Sequence, residues 1–121
     1  MKHVFLVAFI VFSFQFIAQP QLKFKETKQS FGFVKRGELV KLTYPFTNIG
    51  NQPLLITEAK AACSCTKVVF PKESIAPGKT ESIEILFDTS PTYDRQDRTV
   101  EVFSNDAKSS QKIRFKGVVL K

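Results

Sequence analysis

The sequence predicts an all-β domain, an immunoglobulin-like β-sandwich of about seven strands. Three observations point there. Helical periodicity is nearly absent, short segments alternate apolar with polar residues, and turn residues punctuate them at intervals of roughly 8 to 15 residues.

The first segment stands outside that pattern. Lys2 and His3 precede Val4 to Phe14, an uncharged apolar run whose only hydroxyl is Ser13. A positive start followed by roughly eleven apolar residues is the pattern of a secretory signal peptide. A membrane-spanning helix needs about 17 to 25 predominantly apolar residues, and Gln15, Gln19 and Pro20 end this run early. Residues 1–18 are therefore read as a signal peptide cut after Ala18, where a small residue precedes the polar Gln19-Pro20. Residues 19–121 are the expected mature domain. No cysteine follows the apolar run to accept a lipid, so the expectation is an extracytoplasmic protein, periplasmic or secreted, with no stable membrane anchor.

Within the mature chain, weak strand signals cover Leu22 to Glu26 and Phe31 to Lys35. Val40, Leu42, Tyr44 and Phe46 then alternate with Lys41, Thr43, Pro45 and Thr47, which puts four apolar side chains on one face. Pro45 cannot donate a ladder hydrogen bond, so its strand is expected to be at an edge there or to carry a bulge. Such an edge is also a place where another chain's strand can add. Asn48-Ile49-Gly50-Asn51 makes a turn, Leu54 to Ile56 begins a strand towards Ala62, and Thr66 to Phe70 forms another that stops at Pro71. Ile75-Ala76-Pro77-Gly78 has the order of a type II turn, with proline fixing φ and glycine supplying a positive one. Ile83, Ile85 and Phe87 alternate with Ser82, Glu84 and Leu86; Val100 and Val102 alternate with Thr99 and Glu101 up to Ser104-Asn105-Asp106. The last strand sets Ile113 and Phe115 inward and Lys112, Arg114 and Lys116 outward.

The order of these marks is similar to that of the bacterial domain-of-unknown-function family 1573. The resemblance rests on Phe31-Gly32-Phe33-Val34 with Gly37-Glu38, on Phe46 to Leu54, on Cys63-Ser64-Cys65-Thr66, on Ile75 to Gly78 and on Ser104-Asn105-Asp106. It covers about Phe24 to Val119. It implies the immunoglobulin-like sandwich shared with ASPM/SPD-2/Hydin-type and major-sperm-protein-like domains, and it brings no activity with it. The family pattern carries glycine between the two cysteines, where this chain has Ser64.

Charge and composition narrow the function classes. The full chain has 18 Lys and Arg against 11 Asp and Glu, a net charge of +7, which permits attraction to anionic partners. Its single histidine, His3, and single methionine, Met1, both lie in the leader. A mature chain without histidine has no Ser-His or Cys-His nucleophilic site and lacks the commonest metal ligand. Glu81 with Glu84, and Asp94 with Asp97, are carboxylate pairs by spacing only. The row Lys112, Arg114 and Lys116 has Glu101 on the expected neighbouring strand and no interleaved aromatics, so base stacking on nucleic acid lacks support.

Cys63 and Cys65 are the only cysteines, and three readings are open. They bond to each other, which needs a kink because residues i and i+2 of a straight strand lie about 6.6 Å apart. They bind a soft ion such as Cu(I) as two thiolates. Or they are packed as small apolar side chains.

The expected function is a non-enzymatic extracytoplasmic interaction or structural module, with no catalytic residues, no cofactor and no metal, whose partner is a protein or cell-envelope component. The alternative is a thiol-based redox or Cu(I)-binding protein acting through Cys63 and Cys65.

Overall fold

The computed structural model describes residues 18–121. Lys2, His3 and the apolar run of the expected leader lie outside the described residues.

Alternation does what the sequence pattern implies: each apolar set faces inward and the strands stack into two antiparallel-rich sheets. The strands are β1 (Leu22–Phe24), β2 (Lys28–Lys35), β3 (Leu39–Asn48), β4 (Ile56–Ala61), β5 (Thr66–Val69), β6 (Thr80–Asp88), β7 (Asp94–Ser104) and β8 (Ser110–Leu120). One sheet has the order β1-β3-β6-β5 and the other β2-β8-β7-β4. The chain is an all-β immunoglobulin-like sandwich. Its first strand is split: β1 pairs antiparallel with β3, and after Lys25–Thr27 the chain crosses to the other sheet, where β2 runs parallel to β8. That split makes eight strands.

Tyr44, Phe46, Ile83, Ile85 and Phe87 from one sheet meet Val100, Val102, Ile113 and Phe115 from the other, all essentially inaccessible to solvent. Phe87 and Phe115 meet edge to face with ring centroids 5.3 Å apart, and Phe31 leans on both. A buried aromatic pair in this geometry adds about 0.5–1.5 kcal/mol beyond its area. The Tyr44 hydroxyl crosses the core and donates to the Arg114 carbonyl at 2.8 Å, tying the two sheets together.

Pro45 stands where its strand becomes an edge, as its missing donor requires: β6 flanks one side of β3 throughout, but β1 flanks the other only over Phe46–Asn48. The Pro45 carbonyl accepts from the Lys25 amide at 3.0 Å. Because N and O of one strand residue point to the same side, the missing Pro45 donor faces the end of β1 and the ladder to β6 is intact. The edge is open only from Pro45 towards Leu39, where β1 has ended. In the turn before β6, Gly78 has φ of +81° and Lys79 donates to the Ala76 carbonyl at 3.0 Å, the closed i to i+3 geometry that its proline-glycine order predicts.

Candidate functional site

The outward residues of β8 form one row, Lys112, Arg114, Lys116, Val118 and Leu120, because side chains alternate along a strand. Across the ladder, β7 sets Glu101 against Lys112, Asp97 against Lys116 and Arg95 against Val118. On the other flank, β2 sets Lys28 beside Arg114, Phe33 beside Val118 and Lys35 beside Leu120. On the far side of β7, β4 adds Lys60 beside Glu101 and Glu58 beside Phe103, so seven cations, Lys28, Lys35, Lys60, Arg95, Lys112, Arg114 and Lys116, share this face with three carboxylates, Glu58, Asp97 and Glu101. No other element of the described residues covers it.

Arg114 holds Asp97 with two guanidinium nitrogens, one of them at 2.6 Å. That hydrogen bonding, helped by the charges of Arg114, Lys116 and Lys28, keeps the Asp97 carboxyl below the usual carboxylate range and raises Arg114. A general acid needs the opposite shift, so this pair is structural. Glu84 reaches Lys41 at 3.6 Å, and Asp94 begins β7 with φ of +68°; neither forms part of a carboxylate dyad. A groove of about 380 Å³ opens beside the ion pair, lined by Ser30, Arg95, Asp97, Lys116 and Val118. Next to Val118 stands Phe33, 75% exposed. A fully displayed aromatic beside a basic groove has the make-up of an interface patch, an apolar centre with a charged rim.

Cys63 and Cys65 lie in the turn that takes the chain from β4 to β5, from one sheet to the other. There the Cα atoms are 5.1 Å apart and the sulfurs are bonded. Thr66 donates to the Cys63 carbonyl and Asp88 to the Cys65 carbonyl, at 3.1 and 2.8 Å, which holds the turn on β6. Cys65 is buried against the core and Cys63 half-buried. Among the described residues no three His, Cys, Asp or Glu side chains converge to hold a metal ion.

Two buried polar residues went unassigned in the sequence, although both lie within the marks that carry the resemblance. Asn48 donates to the Gln52 and Ile75 carbonyls at 2.8 and 2.9 Å and accepts from the Gly50 and Gln21 amides at 3.0 and 3.3 Å. Asp106 accepts from the Leu22 and Lys108 amides at 2.6 and 2.9 Å. The motif residues Asn48, Gly50 and Asp106 are thus knots between loops and the first strand. They hold the fold.

No curated protein matches the chain. Among solved structures, it is similar to a protein of unknown function from Porphyromonas gingivalis W83, with 20% identity and a TM-score of 0.73 over 84% of this chain and 48% of that one. The chain therefore spans about half the length of that protein. It is also similar to the ASH / PapD-like domain 7 of human CEP192, with 9% identity and a TM-score of 0.71 over 99% of both. The VesB protease of Vibrio cholerae matches at 17% identity and a TM-score of 0.60, over 85% of this chain and 32% of the protease. At these identities the likeness is one of fold. The family of proteins of unknown function DUF1573 matches over residues 22–119, nearly all of the sandwich and every loop knot just described, and the chain belongs to that family.

Proposed function

We propose that this protein is a non-catalytic interaction module that works outside the cytoplasm and docks an acidic protein or cell-envelope component on the β2-β8-β7-β4 face. The observation that carries the reading is the excess of seven cations over three carboxylates on that face, with Phe33 exposed among them. Charge of one sign on one face steers an oppositely charged partner and sets its orientation. The leader pattern of residues 1–18 supports the location.

The sheet edges favour the face over strand addition. β1 and β5 are short, β2 and β4 carry register shifts at Ser30/Gly32 and Ile56/Glu58, and each edge strand bears at least one lysine. Shortness, bulges and lysines are the devices that keep an edge from pairing. The test is capture from envelope extract by the mature domain, alongside a variant carrying Lys112→Glu and Lys116→Glu. Capture by the first and loss in the second is expected; no capture above background by either sinks the reading.

A second reading rests on the half-buried Cys63 of the Cys63–Cys65 bond, which leaves one sulfur within reach of a partner thiol. It makes the turn a thiol-exchange or, once reduced, a Cu(I) site. Mass spectrometry of the purified chain with and without alkylation, and with Cu(I) offered, decides it. An inert bond and no metal uptake by the reduced chain count it out.

A further inference from the structure

We propose that Gln19 becomes the N-terminal residue of the exported chain and closes into a pyroglutamyl lactam seated on the loop after β3. The proposal rests on the reading of residues 1–18 as a cleaved leader.

From Gln19 on, the chain lies along the loop after β3. Asn51 donates to the Gln19 carbonyl at 3.1 Å and Ile49 to the Gln21 carbonyl at 3.0 Å, so Gln19, Pro20 and Gln21 lie along the loop as a short ladder. Beneath them is Gly50, where a Cβ would stand 2.2 Å from the Gln19 oxygen. Only glycine allows so close a backbone approach. The Gln19 nitrogen donates to Asn51 Oδ1 at 2.8 Å, while Ala18, just before it, is exposed.

Cleavage there turns the Gln19 amide nitrogen into an α-amine. As an ammonium it has three donors, and the acceptor beside it is Asn51 Oδ1. Its neutral form is populated near pH 8. That nitrogen attacks Cδ of its own side-chain carboxamide; the N–Cδ bond closes a five-membered ring, the Cδ–Nε2 bond breaks, and Nε2 departs as ammonia with the proton the amine releases. Nothing is oxidised or reduced and no co-reactant is consumed. The Gln19 carboxamide makes no hydrogen bond to any described residue, so no contact has to break before closure. The lactam is uncharged and keeps one N–H, which matches the one acceptor that Asn51 presents. Closure leaves a terminus without the free amine that aminopeptidases require.

The experiment exports the full chain with its own leader and measures intact mass, together with the Gln19–Lys23 tryptic peptide after α-amine labelling. The expected product is residues 19–121 lighter by one ammonia, with no label on Gln19. It melts above the form with an open Gln19 collected early, and Asn51→Ala removes that difference. A chain that starts at Gln19 and keeps a labelled amine through prolonged incubation at neutral pH overturns the lactam but leaves the leader reading standing. Equal melting of the open and closed forms overturns the seat on Asn51. A chain that begins elsewhere, or retains residues 1–18, overturns the leader reading and the lactam together.

Discussion

Asn48 uses every hydrogen-bonding position of its side chain, two donors and two contacts to its oxygen, in a place with no access to solvent. Asn48→Ala leaves the Gly50 and Gln21 amides without partners, while the Ile75 carbonyl keeps the Leu54 amide, and each buried orphan costs about 1–3 kcal/mol. The expected loss is about 2–4 kcal/mol in urea unfolding; a loss under about 1 kcal/mol would mean that water replaces the side chain. Tyr44 gives a pH dependence. Burial first, and the charge of Glu26 second, push its hydroxyl from 10.0 up to about 12. The unfolded phenol therefore ionises before the folded one. The stabilisation is whole below pH 10 and is lost as pH rises through about 12. Tyr44→Phe should abolish that alkaline component and cost about 0.5–1.5 kcal/mol at neutral pH, the value of the hydrogen bond to Arg114. Denaturant melts of both proteins between neutral pH and the alkaline range measure it.

At the scale of elements, the joins hold more information than the strands. The Cys63–Cys65 bond spans one residue, and so small a loop restricts the unfolded chain little. Replacing both cysteines by serine should cost about 1.5 kcal/mol or less. A larger drop in the unfolding midpoint would show that the turn between β4 and β5 depends on the bond. Gly50 is the stricter join. In Gly50→Ala the new methyl meets the backbone of Gln19 and Gln21, so the segment before β1 must lift off the loop. Faster amide exchange at Ile49 and Asn51 is the expected signature, because those amides donate to Gln21 and Gln19. Unchanged exchange would place the strain elsewhere.

For the whole molecule, the two outer faces differ. One sets Lys41 against Glu84, whereas the β2-β8-β7-β4 face gathers seven cations around two ion pairs, Arg114–Asp97 and Lys60–Glu58. Lys112 and Lys116 are exposed and stand directly across from Glu101 and Asp97, so the Lys112→Glu, Lys116→Glu variant sets like charges opposite each other twice and should lose about 0.4–2 kcal/mol while staying folded. Its capture of an acidic partner should fall steeply, and wild-type capture should weaken with salt. Binding that ignores both salt and the double variant would move the interface off this face.

The sequence by itself determined the sandwich, most strand positions and the inward set, because a period of two in apolar residues leaves a strand only one way to bury them. It showed the proline-glycine turn for the same kind of local reason. It did not determine which strands neighbour each other. For that reason Pro45 could be placed at an edge or a bulge without naming β1 as the neighbour that ends there, and the three readings of the two cysteines stayed open until the turn between β4 and β5 brought them together. The basic face was legible only as a row on the last strand. Its other half, Lys28, Phe33 and Lys35, comes from a strand about 85 residues earlier in the chain that runs parallel to it, a pairing no local pattern encodes. The loop knots at Asn48 and Asp106 were hidden for a related reason. Their partners are backbone groups of distant segments, and backbone groups leave no trace in a sequence until the tertiary structure sets them within hydrogen-bond reach.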